Sequence, residues 1–435
     1  MEKKNALGRR AFIKTASAAA AAAPWIVPST VFGKDAPSER LTMGSIGCGG
    51  IGVSDMHRFL PRDDVQIVAV CDVDRLHRLN AKELAETTYA EKHGQGLYRG
   101  IDHYNDFRDI IGRRDIDLVV IATPDHWHAI PAIMAANEGK DIYCEKPIAL
   151  NIAQGIAMRE AVQRNNIVWQ TGSQQRSTND FRFACELVRN GRIGKLKKVY
   201  VGLPTGHRIE PQTEMPVPEG FDYDFWLGPA PRTPYTKNRC HWNFRWIFDY
   251  SGGQLSDWAG HHCDIAHWGM DKEHTGPVEI TGTGEFPREG LWNTAVTYNF
   301  DCTYADGLVL NVTNNAQNKQ GIKFEGTEGW VYVRRGELDA EPKSLLTSVI
   351  GGDEIHLYRS ANHGGNFIDC VRSRKKTVAP IEILHRSVSI AHLGNIAMLL
   401  GRTVKWDPDR ERFVNDAEAN RMLSRSMRSP WRLDM

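Results

Sequence analysis

The chain lacks an excess of charge of either sign. Its 435 residues carry 54 Lys and Arg against 53 Asp and Glu, a formal net charge of +1. This balance argues against a nucleic-acid partner or a surface for anionic membranes. None of the eight cysteines forms a Cys-x-x-Cys pair, so their spacing specifies neither a redox motif nor a disulfide. After residue 38 we expect no membrane-spanning stretch, and we find no internal repeat.

The first segment, residues 1–38, has the pattern of an export signal. It resembles the twin-arginine consensus through Arg9, Arg10, Phe12 and Lys14. An alanine-rich core at residues 16–23 follows, and it is too short to span a bilayer permanently. Twin-arginine signals are read by a receptor and are not anchors. We therefore expect cleavage between Ala23 and Ser38, near Gly33, and a periplasmic or otherwise exported protein without membrane insertion.

Buried-strand and helix patterns alternate along residues 39–172. Near-continuous apolar runs typical of parallel strands occur at 41–46, 65–71, 117–122, 141–144 and 167–171. Helical patterns lie between them, including 75–88 and 152–164. This alternation predicts an α/β domain of the Rossmann type, with a parallel sheet covered on both faces.

Residues 173–435 follow a different pattern. The stretch 204–250 is rich in proline, aromatics and histidine, which predicts a long loop region that covers a site. Paired strand patterns with hairpin turns follow between 278 and 334, and helical patterns lie at 254–268, 365–374 and 383–400. We predict an α+β domain with an open, mostly antiparallel sheet.

A glycine turn between the first strand and the first helix predicts a dinucleotide site. Gly47 permits a tight turn, Gly49 lets a pyrophosphate approach, and Gly52 allows close helix–strand packing. The turn also contains Gly50 and Ile51, at a helix N-terminus that favours phosphates. Asp72 follows Gly52 by 20 residues, where a carboxylate holds the ribose 2′-hydroxyl and repels a 2′-phosphate. NAD is therefore expected, and Arg75 keeps NADP open as a less favoured choice.

Three polar residues are candidates for catalysis. Lys146 follows the strand at 141–144, at the sheet edge where ligands bind, although a surface lysine in a turn is an equal alternative. Asp257 and His261 are four apart on a predicted helix and share one face. A histidine held by a carboxylate suits proton transfer at neutral pH, whereas the alternative is a helix-surface ion pair.

The same helix also carries residues that could hold a metal ion. The stripe Asp257, His261, Asp264 and His267 offers oxygen and nitrogen ligands. We expect no metal there, because no known metal-ligand motif matches and hydride transfer needs none. His262 points about 100° away from His261 on the helix, so it is a structural residue or a substrate contact.

Together these motifs resemble the glucose–fructose oxidoreductase, inositol dehydrogenase and MocA (Gfo/Idh/MocA) family. The resemblance runs from about Leu41 to the C-terminus. Its carriers are the glycine turn, Thr123-Pro124-Asp125-His126-Trp127-His128, Glu145-Lys146-Pro147 and the segment Gly252–His261. It implies that Lys146, Asp257 and His261 act together on a substrate hydroxyl. It also implies a cofactor site that includes Thr123, Pro124, His128, Glu145 and Lys146, and a homodimer or homotetramer built on the second sheet.

The chain departs from the family pattern in its export signal and in the long stretch before Gly252. This stretch resembles that of exported members linked to carbohydrates, and the resemblance points to a group of substrate contacts: Arg176, His241, Arg245, Tyr250 and His262. For His241 and Arg245 stabilisation of the loop is an equal alternative.

An exported dehydrogenase has no supply of NAD to exchange with, so we expect the cofactor to stay bound and to be restored within the catalytic cycle. Two reactions satisfy this condition. One is oxidation of a sugar hydroxyl paired with reduction of a second carbonyl compound. The other is an NAD-dependent glycoside hydrolase that works by transient oxidation and elimination. A sugar-binding protein without catalysis is the third hypothesis.

Overall fold

The computed structural model describes residues 40–94, 96–314 and 316–433. The expected twin-arginine segment, residues 1–38, lies outside these described residues, so export and cleavage stay predictions. From Leu41 onward the chain forms one unit, in which an α/β half continues into an α+β half.

The α/β half contains a parallel sheet. Its strands are β1 (Leu41–Ile46), β2 (Val65–Cys71), β3 (Asp102–Tyr104), β4 (Leu118–Ile121), β5 (Asp141–Cys144) and β6 (Trp169–Thr171). They lie in the order β3-β2-β1-β4-β5-β6, and all the pairings are parallel. The strand order reverses at β1 and β4, so the crevice at the carboxyl ends of these two strands is the expected ligand site.

Helices cover both faces of this sheet. They are α1 (Gly50–Phe59), α2 (Arg75–Lys92), α3 (Phe107–Ile111), α4 (Asp125–Asn137) and α5 (Ile152–Arg164). Short polar side chains cap several of them. Asn151 accepts from the backbone N–H of Gln154 at 3.0 Å, and Asp74 accepts from those of Leu76 and His77. The predicted Rossmann-type arrangement is confirmed.

The α+β half contains a larger mixed sheet. Its strands are β7 (Leu196–Leu203), β8 (Glu279–Glu285), β9 (Thr297–Thr303), β10 (Val309–Asn314), β11 (Gly321–Gly326), β12 (Trp330–Arg334), β13 (Glu337–Glu341), β14 (Val404–Asp407) and β15 (Arg412–Phe413). Their order is β13-β12-β11-β7-β10-β9-β8-β14-β15. The β7–β10 pair is parallel and the other described pairs are antiparallel, which confirms the open, mostly antiparallel sheet.

Helices of the second half pack on one another and on this sheet. They are α6 (Asn179–Arg189), α7 (Tyr223–Leu227), α8 (Gly253–Met270), α9 (His363–Ser373), α10 (Ile381–Leu400) and α11 (Ala417–Arg421). Helix α8 packs against α6, α10 and β7, and it is buried along nearly its whole length. It therefore holds its polar side chains in fixed positions.

Helix α10 corrects one expectation from the sequence. We expected no apolar stretch of membrane-spanning length after residue 38, but Ile381–Leu400 is long and apolar enough to cross a membrane. Most of this helix is buried inside the structure. It packs against α8 and β8, which accounts for its apolar composition.

Residues 204–250, here called the covering segment, have a small apolar core of their own. Residues Phe221, Trp226, Phe244 and Tyr250 belong to this core. The segment contains α7 and a 3₁₀ helix at His241–Trp246. It is joined to the α/β half at the start of α2, where the backbone N–H of Arg75 donates to Gly220 and that of Asp222 donates to Val73.

Buried histidines predict a loss of stability in acid. Burial lowers the pKa of six histidines to about 3 or 4: His126, His128, His262, His267, His363 and His392. An unfolded histidine binds a proton below about pH 6.5, whereas these folded ones resist it until about pH 4. Each therefore costs up to about 2 kcal/mol of stability near pH 5.

We expect the Tm in scanning calorimetry to fall between about pH 7 and about pH 5. Asp125, whose pKa burial raises to about 7, works in the opposite direction over this range, as do Asp55, Glu145 and His77, whose pKa values are also raised, but these groups are fewer than the buried histidines. A Tm that stays constant or rises toward pH 5 would contradict this expectation.

Candidate active site

The glycine turn has the geometry of a dinucleotide cradle. Gly47 has φ of 88°, and its N–H donates to the carbonyl of Cys71 at 2.8 Å. A Cβ at Gly52 would lie 1.9 Å from the Gly47 oxygen, so only glycine lets α1 approach the turn this closely. At Gly50 a Cβ would meet no protein atom within 4 Å, and at Gly49 none closer than 4.0 Å. The protein therefore packs tightly against the turn at Gly47 and Gly52, whereas the space beside Gly49 and Gly50 is free for a ligand.

Asp72 ends β2 beside this cradle. Its Oδ2 accepts from the N–H of Cys48 at 2.7 Å, and its Oδ1 accepts from the N–H of Asp74 at 2.8 Å. These bonds fix the carboxylate at the carboxyl end of the strand. Asp72 is therefore placed to accept a ribose hydroxyl and to repel a phosphate on the same ribose.

A cavity of about 440 Å³ lies between the cradle and the covering segment. On the α/β side it is lined by Gly47, Gly49, Gly50, Ile51, Asp72, Thr123, Pro124, Glu145 and Lys146. On the other side it is lined by Phe221, Phe225, Trp226, His241, Trp242, Phe244 and Arg245. The covering segment thus forms one wall of the cavity, as its composition predicted.

His128 and Glu145 lie on the α/β side of the cavity. Nδ1 of His128 lies 2.7 Å from the carbonyl oxygen of Pro147, and burial lowers the pKa of His128 to about 4. His128 is buried and does not line the cavity, because α4 turns its ring toward the Glu-Lys-Pro segment. Glu145 accepts from Nε2 of Gln174 at 3.0 Å, and burial raises its pKa.

An ion cluster lies at the inner end of the cavity. Nζ of Lys146 donates to Oδ1 of Asp257 at 2.9 Å and to the Asp257 carbonyl at 3.2 Å. Nε of Arg245 donates to the same Oδ1 at 3.2 Å. Burial alone would raise the pKa of Asp257, but Lys146 and Arg245 outweigh burial and lower it. The cluster joins the end of β5, helix α8 and the covering segment through one carboxylate.

His261 lies one turn further along α8 and is buried beside this cluster; like Asp257, it is not among the residues that line the cavity. The expected contact between Asp257 and His261 is not formed, because the oxygen of Asp257 that has partners is taken by Lys146 and Arg245. Nδ1 of His261 has no hydrogen-bond partner among the described residues. Burial lowers the pKa of His261 well below its usual value, and the charges of Lys146 and Arg335 lower it further. The imidazole is therefore neutral near pH 7 and can accept a proton.

The structure divides the expected substrate residues into two groups. Arg245 and His241 line the cavity, with Arg245 at the ion cluster and His241 near Asp74 and His77 at the ribose end. Arg176, Tyr250 and His262 are buried and do not line it.

The polar groups of Arg176 and Tyr250 are engaged inside the protein, and Nδ1 of His262 lies 3.3 Å from Oε1 of Gln175. Arg176 pairs with Asp264 at 2.6 Å and with Glu273 at 2.8 Å. The Tyr250 hydroxyl accepts from Arg239 at 3.3 Å, and burial raises the pKa of Tyr250 to about 12. The expected substrate contacts of Arg176, Tyr250 and His262 thus find no support in this geometry.

Two residues of the helical stripe that could hold a metal ion, Asp264 and His267, bind protein groups instead. Asp264 accepts two hydrogen bonds from the Arg176 guanidinium, and Nε2 of His267 lies 2.6 Å from the Tyr304 hydroxyl. A metal ion would have to displace these partners. Among the described residues, a cluster that could hold an ion lies elsewhere, at Asp74, His77 and His241.

Two charged groups of the site were not assigned from the sequence. Asp125 lines the cavity at the start of α4, accepts from the Ser251 hydroxyl at 2.6 Å, and has a pKa that burial raises to about 7. Its position in the Thr-Pro-Asp-His motif was the available signal. Arg335, in the turn between β12 and β13, lies over the Trp258 ring at 5.3 Å. Nothing in the sequence indicates that this turn reaches α8.

Two family models match the chain. The Oxidoreductase family, NAD-binding Rossmann fold, matches residues 41–173, and the Oxidoreductase family, C-terminal alpha/beta domain, matches residues 186–433. The protein therefore belongs to the Gfo/Idh/MocA oxidoreductase family. The expected NAD-binding fold is confirmed, and the glycine cradle and Asp72 described above fit that cofactor.

Several relatives are similar to the chain. Myo-inositol 2-dehydrogenase of Thermotoga maritima is 27% identical over 86% of this chain and 98% of its own length. Levoglucosan dehydrogenase of Pseudarthrobacter phenanthrenivorans is 42% identical over 54% of this chain and 60% of its own length. Alpha-N-acetylgalactosaminidase of Shewanella oneidensis is 31% identical over 38% of this chain and 36% of its own length. Apart from the inositol enzyme, these matches span about a third to three fifths of the relatives.

Solved structures share the fold. The WlbA dehydrogenase from Bordetella pertussis, in complex with NADH and UDP-GlcNAcA, has a TM-score of 0.61 and 18% sequence identity. The match covers 85% of this chain and 99% of that one.

Replacing the carboxylate of Asp72 tests the cofactor site. For Asp72→Asn we expect NAD affinity to fall about 10- to 100-fold, since a hydrogen bond to a charged group contributes about 1.5–3 kcal/mol. We also expect the preference for NAD over NADP to narrow, because the repulsive charge is lost.

Titration of each dinucleotide by quenching of tryptophan fluorescence measures both effects. Asp106→Asn is the matched control, because Asp106 also follows a strand of the parallel sheet but does not line the cavity. Equal NAD affinities in the two variants would show that Asp72 does not hold the ribose.

Proposed function

We propose that the protein is an NAD-dependent oxidoreductase that acts on a hydroxyl group of a sugar or sugar derivative. The observation that carries this proposal is the ion cluster of Lys146, Asp257 and Arg245. Its two cations line a cavity that begins at a dinucleotide cradle, and the neutral His261 is buried beside it. The similarity to two sugar and polyol dehydrogenases supports it.

The side chains account for the proton side of such a reaction. The bound nicotinamide supplies hydride transfer to and from the carbon that bears the hydroxyl. Lys146 donates a hydrogen bond to the hydroxyl oxygen, and Asp257 holds the Lys146 ammonium in position. His261 accepts the hydroxyl proton as the carbonyl forms and returns it when the hydride comes back.

Aromatic side chains at the cavity fit a carbohydrate. Trp242 lines the cavity and keeps 65% of its surface exposed, while the Arg245 guanidinium lies 4.4 Å from its ring centroid. An exposed indole face next to hydrogen-bond donors suits the apolar face of a sugar ring and its hydroxyls. Arg245 therefore serves both the ion cluster and the substrate side of the cavity.

We further propose that the dinucleotide remains bound through the catalytic cycle. The covering segment is fastened at both ends of the cavity. Its residues 220–222 make backbone hydrogen bonds at the start of α2, next to Asp72. On the other side, the indole N–H of Trp127 donates to the carbonyl of Trp226 at 2.8 Å. Release of the cofactor requires these contacts to open, so we propose regeneration in place by a second carbonyl substrate.

An NAD-dependent glycoside hydrolase is the second candidate, and Asp125 is the observation in its favour. Elimination needs a base beside the C–H next to the transient carbonyl. A carboxyl group with a pKa of about 7 that lines the cavity is suited to that role. The similarity to alpha-N-acetylgalactosaminidase covers only part of that enzyme.

Incubation with aryl glycosides without added NAD separates the two reactions. The oxidoreductase gives a keto-sugar and releases no phenol. The hydrolase releases phenol, and Asp125→Asn then abolishes that release while leaving oxidation of the free sugar in place.

Two further expectations remain proposals. We propose that the protein is exported by the twin-arginine route, on the basis of Arg9 and Arg10. We also propose that it assembles as a homodimer or homotetramer through the open face of the second sheet, as its family membership indicates.

Replacing Lys146 separates catalysis from binding. For Lys146→Met we expect turnover to fall at least about 100-fold while sugar affinity changes by only a few-fold, because the lysine acts mainly on the developing charge. Single-turnover absorbance of the nicotinamide and calorimetric sugar titration measure the two quantities.

The exposed Lys195→Met is the control and should behave like the unchanged protein. If Lys146→Met loses turnover and sugar affinity in equal proportion, the lysine is only a binding group. The third hypothesis, a sugar-binding protein without catalysis, would then gain support.

A further inference from the structure

Three potential ligands converge at the ribose end of the cavity, away from the ion cluster. One ligand atom from each of Asp74, His77 and His241 lies within 4.8 Å of the others. Asp74 and His77 belong to the first turn of α2 and its cap, whereas His241 begins the 3₁₀ helix of the covering segment. The cluster therefore brings together two parts of the chain that form opposite walls of the cavity.

The two carboxylate oxygens of Asp74 have different surroundings. Its Oδ1 caps α2 by accepting from the N–H groups of Leu76 and His77. Its Oδ2 faces Nε2 of His241 at 3.6 Å. That distance is too long for a hydrogen bond. It is close to the separation of about 3.4 Å between two ligands bound at 2.0–2.1 Å to one tetrahedral zinc ion.

The two histidines are also arranged for a shared ligand. Their ring centroids are 5.0 Å apart and the rings are inclined at 67°. Nδ1 of His77 lies 3.7 Å from Oδ2 of Asp72, so a second carboxylate lies beside this imidazole without a hydrogen bond to it. His241 has φ of 55°, a left-handed conformation that is uncommon outside glycine, and its ring leans on Phe221 at 5.3 Å.

We propose that Asp74, His77 and His241 form a binding site for a divalent transition-metal ion of the zinc type, which fastens the covering segment to the start of α2. Two imidazole nitrogens and one carboxylate oxygen are ligands that zinc prefers. They leave a fourth position for water or for an oxygen of a ligand in the cavity. The ion adds a third fastening to the two sets of hydrogen bonds that already hold the segment.

This site is independent of the proposed reaction, so it is tested without substrate or cofactor. Chelator-treated protein is dialysed against Zn²⁺ alone, and bound zinc is measured by elemental analysis. We expect one ion per chain, and we expect His77→Ala and His241→Ala each to weaken binding at least 10-fold. His274→Ala is the control, because His274 is also exposed but lies outside the cluster.

Hydrogen exchange supplies the second readout. With Zn²⁺ we expect slower exchange of the backbone N–H groups of residues 241–247, and no such slowing in His77→Ala, whose change lies on the opposite wall. Zinc binding that is absent, or that is unaltered by both histidine variants, would overturn the assignment. Binding without slower exchange at 241–247 would overturn the fastening role. Because both variants change half-exposed side chains, their Tm without metal shows whether the fold is retained.

Discussion

The site depends on one buried carboxylate shared by two cations. Asp257 sits on α8, receives Lys146 from the end of β5 and Arg245 from the covering segment, and so links the parallel sheet, the mixed sheet and the wall of the cavity. A buried charge of this kind is tolerated only when its partners are in place, since loss of one partner leaves an uncompensated charge. The contacts that satisfy Asp257 also hold the Lys146 ammonium at the cavity, and burial together with the charge of Lys146 lowers the pKa of His261.

Much of the α/β half could be predicted from the sequence because its signals are local. The continuous apolar run of β2, the Asn151 cap of α5 and the glycine turn each depend on residues that are close in the chain. Strand β7 was not predicted, although it lies between β10 and β11 in the mixed sheet. It contains Lys197, Lys198 and Gly202, which weaken the strand pattern, and its place is set by partners more than 100 residues away.

The sequence predicted which residues of the candidate site carry charge or can transfer a proton, but it did not predict which of them form hydrogen bonds with each other. The spacing of Asp257 and His261 on one helix suggested that they bond to each other, whereas two cations from distant segments take the carboxylate. Arg176 was expected to contact the substrate on the basis of the resemblance. Its charge is neutralised instead by Asp264 and Glu273, which only the packing of α8 brings near. Such competition between partners is decided by tertiary distances.

The central claim is that a dinucleotide stays in the cavity and is reduced and reoxidised there. The most direct measurement is the absorbance of the purified protein, followed without added NAD as a sugar and then a carbonyl compound are supplied. The account predicts that the reduced-nicotinamide band rises with the first addition, falls with the second, and remains with the protein through gel filtration. A protein that is purified without dinucleotide, and that produces free NADH only when NAD is supplied, would contradict it.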